Sequence, residues 1–216
     1  MLIRRLGFAA GLGAALFLLM VSMCLTNTYA QEKAADSSAT TLDNLMAAYK
    51  GESNAQARYL AFAKKANEEG YDIAASLFRA VALAERVHYE RYAGIIKKLG
   101  GTLNAAVEIP VVKSTPENLK AAFEGETYEK DVMYPAFLIQ AQKEEMKDAI
   151  DAFEDTIAAE GVHADLYARM SSNLVLSRGL SKDFLVCPVC GNVVDVITTE
   201  LCPICSTETR KFKMVR

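Results

Sequence analysis

The 216-residue chain has two histidines, and both stand in one five-residue frame, AERVH at 84–88 and AEGVH at 159–163. On a helix, residues i and i+3 share a face, so Glu85 points with His88 and Glu160 with His163. A second frame also occurs twice: AAYKGES at 47–53 carries Glu52, and AAFEGET at 121–127 carries Glu126. One glutamate from each of two helices, with a Glu-x-x-His step from each of two others, is the donor set of a dinuclear carboxylate centre in a helical bundle. Carboxylate oxygen and imidazole nitrogen suit iron or manganese better than copper. A bridging carboxylate holds two cations close together, and their charge keeps several buried glutamates ionised. Without metal, so many acids in one core would repel and take up protons. A single Glu-x-x-His is weak, because an exposed ion-pairing face explains most of them. Two copies, in register with two Gly-Glu steps and using every histidine, point to a metal site.

The repeat breaks its symmetry once. Glu129 follows Glu126 by three residues, and its counterpart at an offset of 74 is Ala55. A fifth glutamate therefore stands on one side only. Such a carboxylate can bind one iron in the oxidised state and release it in the reduced state; the alternative is a solvent-facing acid. Glu90, Glu124 and Glu154 read as surface charges.

Four of the five cysteines lie near the end of the chain, Cys187 and Cys190 in CPVCG, Cys202 and Cys205 in CPIC. Two C-x-x-C steps at this separation form a tetrahedral thiolate site for zinc or iron, between which spacing does not choose. Disulfides are the other reading in an exported protein, although C-x-x-C pairs make awkward structural bridges. The intervening NVVDVITTE reads as a short hairpin. With almost no core of its own, the tail depends on metal for its folding energy.

Helical hairpins must position these groups. The offset is 74 for the Gly-Glu frames and 75 for the histidine frames and for Phe78 and Phe153. Helix one starts at a Thr41 cap and ends at Gly70. Helix two runs from about Asp72 to Leu99, before Gly100-Gly101. A loop over about 101–115 leads to Thr115-Pro116-Glu117, a cap followed by proline and an acid near the positive end of the helix dipole. Helix three reaches about Glu145, interrupted at Pro135, and helix four covers about Lys147 to Ser172. Four helices with a long connection between the second and third make a ferritin-like bundle.

The composition is 51% hydrophobic with no tryptophan, which allows a sizeable helical core. The net charge of −3 gives no basic surface, so no nucleic-acid partner is expected. Residues 1–30 form a distinct segment. MLIRR is a positive n-region, residues 7–25 carry no charge, and Ala30 with Thr28 fits a cleavage site. Export follows, to the periplasm or the outer face of the cytoplasmic membrane, with an uncleaved anchor through residues 7–25 as the alternative. Residues 31–40 read as a tether.

Together these residues resemble the rubrerythrin family over about residues 42–216. The resemblance implies a mostly α fold, a ferritin-like four-helix bundle at 41–175 followed by a small rubredoxin-like metal-binding β domain at 182–216. It implies two non-haem irons held by Glu52, Glu85, His88, Glu126, Glu129, Glu160 and His163, and one iron, or zinc, held by Cys187, Cys190, Cys202 and Cys205. Catalytic roles fall on Glu52 and Glu129, and on Tyr59 and Tyr134, which match tyrosines beside the ligands. The implied activity is reduction of hydrogen peroxide to water, with electrons relayed through the four-thiolate iron from an unidentified donor. The alternative is ferroxidase or iron-sequestering activity, which needs no thiolate tail. The resemblance also implies a homodimer in which a partner's tail approaches the bundle, the chain's own tail being too distant. Two features depart from the family: the export signal in a mostly cytoplasmic group, and CPICSTET, where a glycine usually follows the second knuckle.

Overall fold

The computed structural model describes residues 39–216 apart from Ala105. The expected export segment, and all of the tether before residue 39, lie outside the described residues. The helices are α1 (Thr41–Glu68), α2 (Asp72–Lys98), α3 (Thr115–Tyr128), α4 (Tyr134–Lys143) and α5 (Lys147–Ser172). A π-helical turn, Glu129–Met133, joins α3 to α4 in one rod. α1 packs on α2, and α5 packs on both α3 and α4.

Both hairpins begin one residue earlier than expected. Thr40 and Ser114 are the caps, each in a reciprocal capping box with Asp43 or Glu117. Thr41 and Thr115 serve the opposite hairpin instead. The Thr41 amide donates to Glu144 (3.1 Å), and the Thr115 amide and hydroxyl donate to Glu69 (2.8 and 2.7 Å). Glu69 and Glu144 end α1 and α4, so each hairpin ties down the start of the other. The glycine-free turn before α5 closes because Glu145 takes φ 55°, the left-handed conformation usually left to glycine.

Two aromatic clusters flank the centre of the bundle. Tyr59, Phe62, Phe78 and Tyr167 pack at one end, with ring centroids 5.3–6.2 Å apart. Tyr92, Tyr134, Phe137 and Phe153 pack at the other. The two sets are images under the repeat offset of 75. Truncating a buried aromatic of this kind costs about 3–5 kcal/mol, so these clusters hold the four rods at fixed separation around the site.

In the tail, β1 (Phe184–Val186) is the central strand, antiparallel to β2 (Val193–Val194) and to β3 (Lys213–Val215). NVVDVITTE is therefore not a hairpin in itself. Only Val193 and Val194 join the sheet, and Asp195 turns away to pair with Lys182 (2.7 Å). Alternation places Phe184, Val186 and Val193 in the same buried cluster as Leu77, Val81 and Leu166 of the bundle. The sheet takes its core from the helices.

Candidate metal centres

The repeat brings Glu52 from α1, Glu85 and His88 from α2, Glu126 from α3, and Glu160 and His163 from α5 into the middle of the bundle, all at most 1% exposed. Their donor atoms form two sets, each within 4.8 Å: Glu52, Glu85, His88 and Glu160; and Glu85, Glu126, Glu160 and His163. Glu85 and Glu160 belong to both sets, and that is the arrangement of two bridging carboxylates between two cations.

The hydrogen bonds show what the set lacks. One oxygen each of Glu52, Glu85, Glu126 and Glu160 is buried with no hydrogen-bond partner. Orphaned carboxylate oxygens in a protein core are costly; four converging on one place fit a pair of cations. The other oxygens of Glu126 and Glu52 each receive a tyrosine hydroxyl, from Tyr59 and Tyr134 respectively. His88 Nδ1 lies 2.9 Å from Glu85 and 3.1 Å from Glu160, and His163 Nδ1 lies 2.7 Å from Glu160. His88 Nε2 faces the Cys190 carbonyl (3.0 Å), and His163 Nε2 faces the Gly191 carbonyl (3.1 Å). A carbonyl only accepts, so both Nε2 atoms carry a proton, and both Nδ1 atoms are turned into the carboxylate set.

Charge follows the same logic. Burial pushes Glu52 and Glu126 well above the usual carboxylate range, with Glu129 adding to the first and Glu85 to the second. Burial also raises Glu85, helped by Glu160. Burial opposes ionisation of Glu160 as well, yet His88 and His163 overcome it and hold Glu160 below its ordinary value. For both imidazoles burial favours the neutral form, and the Glu160 carboxylate reverses that. The cluster is short of positive charge, which two divalent cations would supply.

Glu129 lies beside this set, on the π turn. Burial, then Glu160 and Glu85, push it up to about 8. It is outside both four-residue donor sets. Glu90, Glu124 and Glu154 are exposed. The π turn accounts for the change of repeat offset. Tyr59 follows Glu52 by seven residues and Tyr134 follows Glu126 by eight. The additional residue is absorbed where the Tyr134 amide bonds five residues back to Glu129. Pro135 follows that turn without breaking the rod. The offsets of 74 and 75 already carried this signal in the sequence.

Three further groups belong to the surroundings of the site. Tyr92 donates to Thr156 (2.7 Å) beside Tyr134. The Tyr167 hydroxyl is buried without a partner, next to Tyr59. Both tyrosines end the repeated AExVHxxxY frame, which was the available clue. Arg58 lies over the Tyr59 ring (5.3 Å), and its charge offsets the burial of Glu129 and Tyr59. No pattern in the sequence marks Arg58.

The four cysteines of the tail are free thiols, not disulfides. Cys187 and Cys205 sulfurs are 3.6 Å apart, as are those of Cys190 and Cys202. Sulfurs about 2.3 Å from a central metal would be separated by about 3.8 Å, so the four fit a tetrahedral ion. Asn192 and Thr207 side chains approach the Cys202 and Cys205 sulfurs at 3.7 and 3.2 Å. The departure CPICSTET keeps the turn, because Ser206 adopts φ 59°. The expectation that the tail lies too far away within one chain is corrected: the knuckle at Cys190-Gly191 contacts both ligand histidines of its own bundle.

A bundle with two ligand sets sharing Glu85 and Glu160, joined to a four-thiolate centre, defines a ferritin-like dinuclear carboxylate protein with its own four-cysteine metal tail. The family model described as rubrerythrin matches residues 43–171. Nigerythrin of Nitratidesulfovibrio vulgaris is 39% identical over 167 residues, 77% of this chain and 82% of that protein. Rubrerythrin of Porphyromonas gingivalis is 31% identical, covering 82% of this chain and 90% of that protein. The fully reduced, all-ferrous structure of nigerythrin superposes with a TM-score of 0.77 at 36% identity, covering 82% of this chain and 88% of that one. A bacterioferritin of Desulfovibrio desulfuricans, at 22% identity and a TM-score of 0.61, shares the fold. The chain belongs to the rubrerythrin family, and it is an oxidoreductase of that type.

Proposed function

We propose that this chain is an exported di-iron peroxidase that converts H2O2, two electrons and two protons into two waters, with electrons relayed through a four-thiolate iron. The observation that carries this reading is the seating of the thiolate knuckle on both ligand histidines. Iron storage has no use for a redox centre there.

When bound, the two irons supply the two electrons together and polarise the O–O bond as paired Lewis acids. The residues do the rest. Glu85 and Glu160, common to both donor sets, would hold both irons, and Tyr59 and Tyr134 fix Glu126 and Glu52 from outside. Glu129, on the π turn beside the site, is the carboxyl placed to pass a proton to a product oxygen. Its place on the π turn, outside both donor sets, would let it serve as an additional ligand to one iron. The knuckle carbonyls keep both histidines in the Nε2–H form.

Zinc in the tail tests the relay. The iron-tailed protein should turn over peroxide repeatedly, whereas the zinc-tailed protein should stop after one equivalent per di-iron site. Equal turnover in both would refute it. Faster oxidation by dioxygen than by peroxide, with iron retained, would favour the ferroxidase reading.

Export rests on residues 1–30, and Gln31 should be the first residue of protein purified from its host; a retained Met1 would leave the segment as an anchor. Outside the cytoplasm the donor is a reductant other than NAD(P)H. A homodimer, carried over from the family, is tested by sedimentation of the mature chain; a monomer at all concentrations refutes it.

A further inference from the structure

The four-thiolate site consists of two knuckles of one design. Each reads Cys-Pro-x-Cys and closes with the same backbone bond: the Gly191 amide donates to Cys187 O (3.2 Å), and the Ser206 amide donates to Cys202 O (3.0 Å). Each sets the residue after its second cysteine in the left-handed region, Gly191 at φ 75° and Ser206 at φ 59°. As turns they are equivalent, and the second shows that serine tolerates the conformation in this fold.

Their surroundings differ. Ser206 is exposed. Gly191 lies against the bundle, where an added Cβ would meet His88 Nε2 at 2.4 Å, Cδ2 at 2.9 Å and Cε1 at 3.1 Å. Ordinary contact begins at 3.4 Å, so the knuckle would have to lift by about 1 Å. The ring has little room to yield. It is 1% exposed, and its Nδ1 is held by Glu85 and Glu160. The two carbonyls that receive the histidine protons, on Cys190 and Gly191, would lift with the knuckle.

We infer that Gly191 is what seats the first knuckle on the histidine pair: its missing side chain, not its backbone freedom, makes the room. Gly191 acts through the contact it permits, so it is a positioning residue. Its consequence for electron flow rests on the relay proposed above; the docking itself does not.

The test uses the full iron-loaded chain and two variants. Gly191→Ser copies the residue already accepted at the second knuckle, and Ser206→Gly is its mirror. Amide hydrogen exchange over residues 187–192 reads docking without reference to electrons. Stopped-flow reoxidation of the thiolate iron after peroxide reads transfer between the sites. Gly191→Ser should keep the visible bands of the thiolate iron, lose protection over 187–192, and slow transfer between the sites severalfold. Ser206→Gly should change neither readout. The assignment is overturned if Gly191→Ser retains its protection, if it bleaches the thiolate bands (glycine then serves the turn itself), or if Ser206→Gly loses as much. Lost protection with unchanged transfer would uphold the docking assignment and refute the relay.

Discussion

Removing iron should make the protein's stability fall as pH rises, and Glu129 lets the effect be measured. Its carboxyl, ordinarily at 4.5, is raised to about 8 by burial and by Glu160 and Glu85. The folded state therefore keeps a proton that the unfolded chain gives up, so the unfolded state binds fewer protons across this window and stability falls as pH rises from about 4.5 to 8. At about 1.36 kcal/mol for each tenfold change in proton affinity, the rise from 4.5 to about 8 sets a ceiling of about 5 kcal/mol. The side chain is only half-buried, so solvent screening brings the expected loss to about 3 kcal/mol. Glu52, Glu85, Glu126 and both imidazoles, all raised, act in the same direction. Glu160, depressed, contributes stability that is lost only below the acid end of this window. Urea unfolding of chelated protein at about pH 5 and about pH 8.5 should show the apo form weaker at the higher pH. Glu129→Gln should remove about 3 kcal/mol of that difference, and iron should abolish most of it. Equal pH dependence in wild type and Glu129→Gln would refute the electrostatic account of the site.

Tyr59→Phe deletes the donor to Glu126, and in the iron-loaded protein it should cost about 1.5–3 kcal/mol in urea unfolding. Tyr134→Phe, its repeat image at Glu52, should cost a similar amount; a loss confined to one of them would contradict the pseudo-symmetry. Ser114→Ala breaks the α3 capping box and should cost about 1 kcal/mol, lowering the melting temperature by about 2–4 °C; an unchanged melting temperature would return the cap to Thr115.

What the sequence discloses depends on how far apart the partners lie. Glu85 and His88, or Glu160 and His163, sit within one helical turn, so the geometry of a single helix places them and the frame is legible. Glu52 and Glu126 become legible through the repeat. The caps were misplaced by one residue because Thr41 and Thr115 look like caps, and only the opposite hairpin shows that Glu144 and Glu69 engage them. The π turn was encoded in the passage from 74 to 75, but an offset does not say where a residue is inserted or that it rearranges five amides around Glu129. Arg58 and the docking of Gly191 on His88 were out of reach. Their partners are far along the chain, and nothing local in Cys-Pro-Val-Cys-Gly says what its glycine faces.

The most direct test of the central claim is anaerobic stopped-flow mixing of the fully reduced iron-loaded protein with hydrogen peroxide, following the visible bands of the thiolate iron. Rapid oxidation by two electrons per di-iron site, followed by colouring of the thiolate iron as it refills that site, is the predicted result. A silent thiolate centre, or oxidation by dioxygen much faster than by peroxide, would contradict it.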